Sequence, residues 1–175
     1  LWVEKSYFSQ ILLNYKQDQG EDLYRRSMYT FIRRTSPPPA MTVFDQPSRE
    51  VCTIKRENTS TPLQALVLLN DPQFVEAARV LAERIQLEAP GTLTDQLILA
   101  FRLTTGQTPD GEELEIFSQL YEDQLALFAD NHKESRLFLE VGETKVDRNL
   151  NNAKTAALAM VTSTMINHNE AYMKR

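Results

Sequence analysis

The chain has 175 residues, 42% of them hydrophobic and 25% charged, with a net charge of −5. That is ample apolar material for a packed core and excludes a disordered chain. The acidic balance, without any aromatic-and-basic recognition module, argues against a nucleic-acid binder. Five glycines are few for a turn-rich β architecture, and no run reaches the roughly 18 apolar residues of a membrane-spanning helix.

Cys52 is the sole cysteine, so no intramolecular disulfide can form. The opening Leu1-Trp2-Val3-Glu4-Lys5 has neither an initiator Met nor a signal-peptide layout. It reads as a piece of a longer protein. Residues 1–20, aromatic and aliphatic at Trp2, Tyr7, Phe8, Ile11, Leu12 and Leu13, are expected to be an irregular arm or short strand continuing from an upstream domain. Residues 21–175 are expected to form a single helical domain.

Residues 21–35 suggest a helix, with Glu21 and Asp22 in the first turn and Arg33 and Arg34 in the last, where they suit the helix dipole. Its apolar face would be Tyr24, Met28, Phe31 and Ile32. Pro37-Pro38-Pro39 ends it, since proline removes the N–H donor and fixes φ. Residues 40–60 show no helical period and predict a long ordered loop with one short strand at 51–54. Thr61-Pro62-Leu63-Gln64 is a capping box with proline at the first helical position. Leu63, Leu66, Val67 and Asn70 share a face of that helix. Asp71-Pro72 repeats the device and opens a helix to about Leu87, with Phe74, Ala78, Leu81 and Ile85 inward.

Thr92 and Asp95 cap a helix over 93–104, closed by Gly106, with Leu93, Leu97, Ala100 and Phe101 inward. Thr108-Pro109 opens the next, over 109–129, on Leu114, Phe117, Tyr121, Leu125 and Phe128. A short helix over 135–141, a polar loop over 142–151 and a last helix over 152–167 follow. The alanines of the last one permit close helix–helix approach. The fold class is therefore all-α: about six helices in antiparallel hairpins with a long ordered Arg-rich loop.

That loop and the helix before it carry the chemistry. Between Tyr24 and Arg56 lie seven basic and two acidic residues, a balance of +5 against −10 for the rest. Guanidinium groups suit carboxylate, sulfate or phosphate, which makes Arg26, Arg33, Arg49 and Arg56 anion-binding candidates. The leading reading is internal: arginines paired with Asp45, Glu50, Glu57 and the acidic helices clamp the loop and satisfy its carbonyls. Binding of an acidic glycan, or docking to a partner domain, stays open beside it. Cys52 lies among cations, as a nucleophile would, but no base accompanies it, since His132 and His168 are remote and outside any motif. It is expected to be a buried structural thiol between Val51 and Ile54, part of the same clamp. No ligand spacing for a metal and no haem-attachment motif occurs, and no catalytic constellation is legible.

Several blocks point to one family: RRSMYTFIRRTSPPPAMTVFDQPSREVC, RENTSTPLQALVLLNDPQFVEAARVLAERI, AFRLTTGQTP, FLEVGE and the terminal ALAMVTSTMINHNEAYMKR. Together they resemble the planctomycete cytochrome-associated C-terminal domain of unknown function, domain-of-unknown-function family fifteen-fifty-three. The resemblance implies a C-terminal module of large exported bacterial proteins, periplasmic or at the cell surface. Its partners would be upstream domains of the same polypeptide, one of them at times a c-type haem domain, so any cofactor would sit outside this chain. It implies no catalytic residues. The chain is thus expected to be a non-catalytic binding or scaffolding module. The alternatives are an anion-binding wall of an enzyme acting on acidic or sulfated polysaccharide, and a docking module for a haem domain in electron transfer.

Overall fold

The computed structural model describes residues 18–25, 27–30, 32, 37–48 and 51–173. The chain divides into two compact units, Leu1–Gln64 and Ala65–Arg175. The described residues are helical, without strands.

In the first unit the helix expected over 21–35 is replaced, where the chain is described, by 3-10 turns at Gly20–Tyr24 and Ser27–Tyr29. Most helical stability comes from packing an apolar face. Met28 and Tyr29 are 72% and 68% exposed, so that packing is missing here. Residues 40–60 are not wholly irregular: α1, Pro39–Val43, begins on the third proline of the triplet. Proline is well suited to a first helical position. The strand expected at 51–54 is absent; these residues form bends and irregular backbone with every side chain exposed.

The helix starts after Ser60 follow the caps. The helix α2, Pro62–Asn70, opens on reciprocal bonds, with Thr61 N–H donating to Gln64 Oε1 (3.0 Å) and Gln64 N–H to Thr61 Oγ1 (3.3 Å). Gln64 and Leu68 are its buried residues, while Leu63 and Leu66 stand out to solvent. Next, α3, Pro72–Glu88, is capped by Asp71, whose carboxylate accepts from Gln73 N–H at 2.9 Å. The chain thus breaks between Asn70 and Pro72, as the proline requires. The helix α4, Leu93–Thr105, opens on the Thr92/Asp95 box and closes at Gly106 with φ +76°. Gly111–Asp130 is α5. It starts two residues later than Thr108-Pro109 suggested, because Asp110 and Glu113 form their own capping box. The α6 helix, His132–Leu139, lies earlier than 135–141. The chain ends through α7, Asn152–Ile166, and a single turn, α8, Asn169–Tyr172.

In the second unit α7 is the centre. It packs against α3, α4, α5, α6 and α8. Buried residues occupy all its sides, among them Ala153, Ala156, Ala157, Leu158, Ala159, Val161 and Met165. A helix apolar all round belongs inside, and its alanines let neighbours approach. Ala82, Ile85, Leu97, Ala100, Phe101 and Phe117 complete the core. Inside it, the Thr162 hydroxyl donates to the Ala78 carbonyl of α3 at 2.8 Å, and Gln86 Nε2 donates to Thr155 Oγ1 at 3.1 Å. Both bonds satisfy polar groups that burial would otherwise penalise.

Candidate functional site

Two polar nodes stand out, one in each unit. The first is built on the turn after α1. Asp45 adopts φ +56°, a left-handed conformation that short polar side chains tolerate better than most. Its carboxylate accepts from Thr59 N–H at 2.8 Å and from the Thr59 hydroxyl at 2.8 Å, which joins the two ends of the loop. Gln64 Nε2 donates to the Val43 carbonyl at 2.9 Å and to Thr59 Oγ1 at 3.2 Å. The capping residue of α2 therefore also holds the loop. The Thr59 amide, then its hydroxyl, hold the Asp45 carboxyl below its usual range, with smaller help from Gln64 and the Arg56 charge.

Arg56 closes the node from the other side. Its Nε donates to the Asp45 carbonyl at 2.8 Å and its Nη2 to the Phe44 carbonyl. Of the residues singled out in the sequence, Asp45 and Arg56 are thus brought together, through backbone as much as through charge. Arg26, Arg33, Arg49 and Glu50 lie outside the described residues. Cys52 does not join the clamp. It is a free, exposed thiol between Val51 and Ile54, which are 72% and 105% exposed. The expected burial fails because the loop is tied at Asp45, Arg56 and Thr59, and none of these bonds draws Val51, Cys52 or Ile54 inward.

The second node was not singled out in the sequence. Glu76, Arg79 and Glu83 line one side of α3, next to the core face, with exposures of 2%, 0% and 8%. Arg79 Nη1 binds Glu83 Oε1 at 2.8 Å, and its Nη2 lies 3.8 Å from Glu76 Oε1. The segment joining α6 to α7 crosses Glu76 and Arg79. Thr144 N–H donates to Glu76 Oε1 at 2.6 Å, and Thr144 C=O accepts from Arg79 Nη2 at 2.8 Å. Gly142, at φ +99°, passes so close that a Cβ there would overlap the Glu76 carboxylate. Glycine is needed at that position for both conformation and space. The only sequence signal was charge at three- and four-residue steps, which solvated helix faces show equally.

A third feature is an open hollow of about 500 Å³ where α5 meets α6, lined by Gln124, Leu127, Phe128, Asp130, Asn131 and Glu134. Among the described residues no group of three or more His, Cys, Asp or Glu side chains could hold a metal ion. No described helix is long and apolar enough to cross a membrane.

Residues 4–121 match the family model PSD1, described as protein of unknown function (DUF1553). The chain belongs to this family. Comparison with curated proteins and with solved structures gave no match. The matched DUF1553 stretch ends inside α5, so α7, around which the second unit is packed, lies beyond it. Helices α3 and α4 bury their apolar faces on α7, so the end of the match is not an edge in the structure.

Proposed function

We propose that this DUF1553 chain is a non-catalytic docking or scaffolding module of a larger exported multidomain protein. Its partner would be an upstream domain of the same polypeptide. The observation that carries the reading is α2. No charged residue occurs from Pro62 to Asn70, yet Leu66 and Leu69 are 57% and 42% exposed. Three residues apart, they share a side of the helix. A helix without a polar face is normally covered by other protein, and an upstream domain would supply that cover.

The polysaccharide alternative gains nothing from Arg56, whose Nε and Nη2 are engaged by backbone carbonyls. The haem-docking alternative shares the prediction for α2 and differs only in which upstream domain binds. The test is titration calorimetry of this chain against its upstream domains, supplied as separate proteins. Leu66→Ser/Leu69→Ser should weaken binding by at least about tenfold, in keeping with the loss of apolar anchors, while the melting temperature stays close to that of the parent. An affinity unaffected by the double substitution, or no binding by the parent chain, would sink the reading.

A further inference from the structure

The segment from Val141 to Asn151 differs from the helices it joins. Near its ends it makes local bonds, from Val141 N–H to Phe138 C=O (3.3 Å), Leu150 N–H to Asp147 C=O (3.4 Å) and Asn149 N–H to Asp147 Oδ1 (2.9 Å). In its middle, Gly142, Glu143, Thr144 and Lys145 are all exposed. None of them is a large apolar residue. Here the segment is fastened to α3 at Thr144, both of whose backbone polar groups are taken by the side chains of Glu76 and Arg79.

That fastening is made of charge. Glu76 and Arg79 lie beneath the segment, and Glu83 is ion-paired to Arg79 beside them. The buried Arg79 Nε has no hydrogen-bond partner among the described residues. Burying ions forfeits hydration, and their mutual attraction only offsets the loss when geometry is good and every donor is used. Lifting its middle, residues 142–145, would rehydrate Glu76 and Arg79 while exposing little apolar surface. By contrast, the α3–α7 seam is closed by Ala78, Ala82, Ile85 and Val161, and opening it would expose the core.

We propose that residues 142–145 form a strap that opens as a local unit, with Glu76 and Arg79 as its latch on Thr144 and the helices of the core left folded. Local openings of this kind cost less than global unfolding and occur in segments with few buried apolar contacts. Neither the latch nor its opening depends on what docks against α2.

The test is native-state amide hydrogen exchange on the whole chain, read residue by residue by NMR. In the parent protein the Thr144 amide should exchange at least about tenfold faster than those of Ala157 and Leu158, with a rate insensitive to low denaturant, the mark of a small opening. Glu76→Gln weakens the latch from the helix side, and Gly142→Ala disturbs it from the strap side. Each should accelerate exchange at Thr144 by a further factor of about ten and leave α4 and α7 unchanged. The parent's denaturant series and Gly142→Ala decide the matter even if Glu76→Gln fails to fold. Two results would overturn the proposal: Thr144 exchanging in step with α7, with the same denaturant dependence, or the variants accelerating α4 and α7 as much as Thr144.

Discussion

The two polar nodes use the same parts in opposite surroundings. In each, a carboxylate accepts from the backbone N–H of a loop threonine: Asp45 from Thr59 at 2.8 Å, Glu76 from Thr144 at 2.6 Å. In each, an arginine donates to loop carbonyls: Arg56 to Phe44 and Asp45, Arg79 to Thr144. Arg56 stands in solvent, whereas Arg79 is sealed. Water stands ready to replace any bond the first node loses. In the second node a removed partner leaves a charge stranded in low dielectric. Similar contact lists therefore describe a surface fastening in one unit and a buried latch in the other.

The contrast is sharpest in paired arginine substitutions. Arg79→Ala should cost roughly 3–5 kcal/mol, because Glu76 and Glu83 stay buried without their counter-charge. Arg56→Ala should stay within about 1 kcal/mol, as exposed polar contacts do. Urea unfolding of both variants against the parent checks this, and equal costs would mean that burial does not separate the nodes. Replacing Arg79 and its two partners together by apolar residues should recover much of the loss.

Next in size is a pH effect at the first node. The Thr59 amide and hydroxyl hold the folded Asp45 carboxyl below its usual value. Its contribution to stability is present above the unfolded value and is lost as pH falls through the lower folded one. Asp95 behaves alike, lowered by the Thr92 hydroxyl and amide, so acid melting of the parent reports both groups. Asp45→Asn should remove only the Asp45 share, flattening the loss of melting temperature on acidification. An unchanged acid slope in the variant would show that the Asp45–Thr59 bonds contribute nothing in solution.

Cys52 gives the smallest effect on stability. Exposed and outside the clamp, it should react with a thiol reagent in the native state about as fast as after unfolding. Cys52→Ser should change stability by no more than about 0.5 kcal/mol. Slow native labelling would place the tip of the loop under cover and enlarge the first node.

Much of the fold was legible because its signals are local. Prolines and caps set the joint at Asn70-Asp71-Pro72 and the starts of α2 and α4, since the atoms that satisfy a helix terminus sit within four residues of it. The DUF1553 membership was legible for a related reason, as the matched stretch carries those caps and joints. The 21–35 segment had a helical pattern, but its described residues form 3-10 turns with Met28 and Tyr29 exposed, and pattern alone did not make those residues an α-helix.

What sequence could not rank was burial of charge. Arg79–Glu83 and Arg84–Glu88 have the same spacing and the same 2.8 Å separation. One pair has side chains 1% and 10% exposed, the other 56% and 46%. Composition, prolines and caps by themselves determined the all-α class and the starts of α2, α3 and α4. Only the tertiary structure decided that α7 is the centre and that Thr144, 65 residues from Arg79 along the chain, covers its guanidinium. The physical reason is that helix caps are satisfied by neighbours in sequence, whereas desolvation depends on whatever the chain brings over a residue from afar.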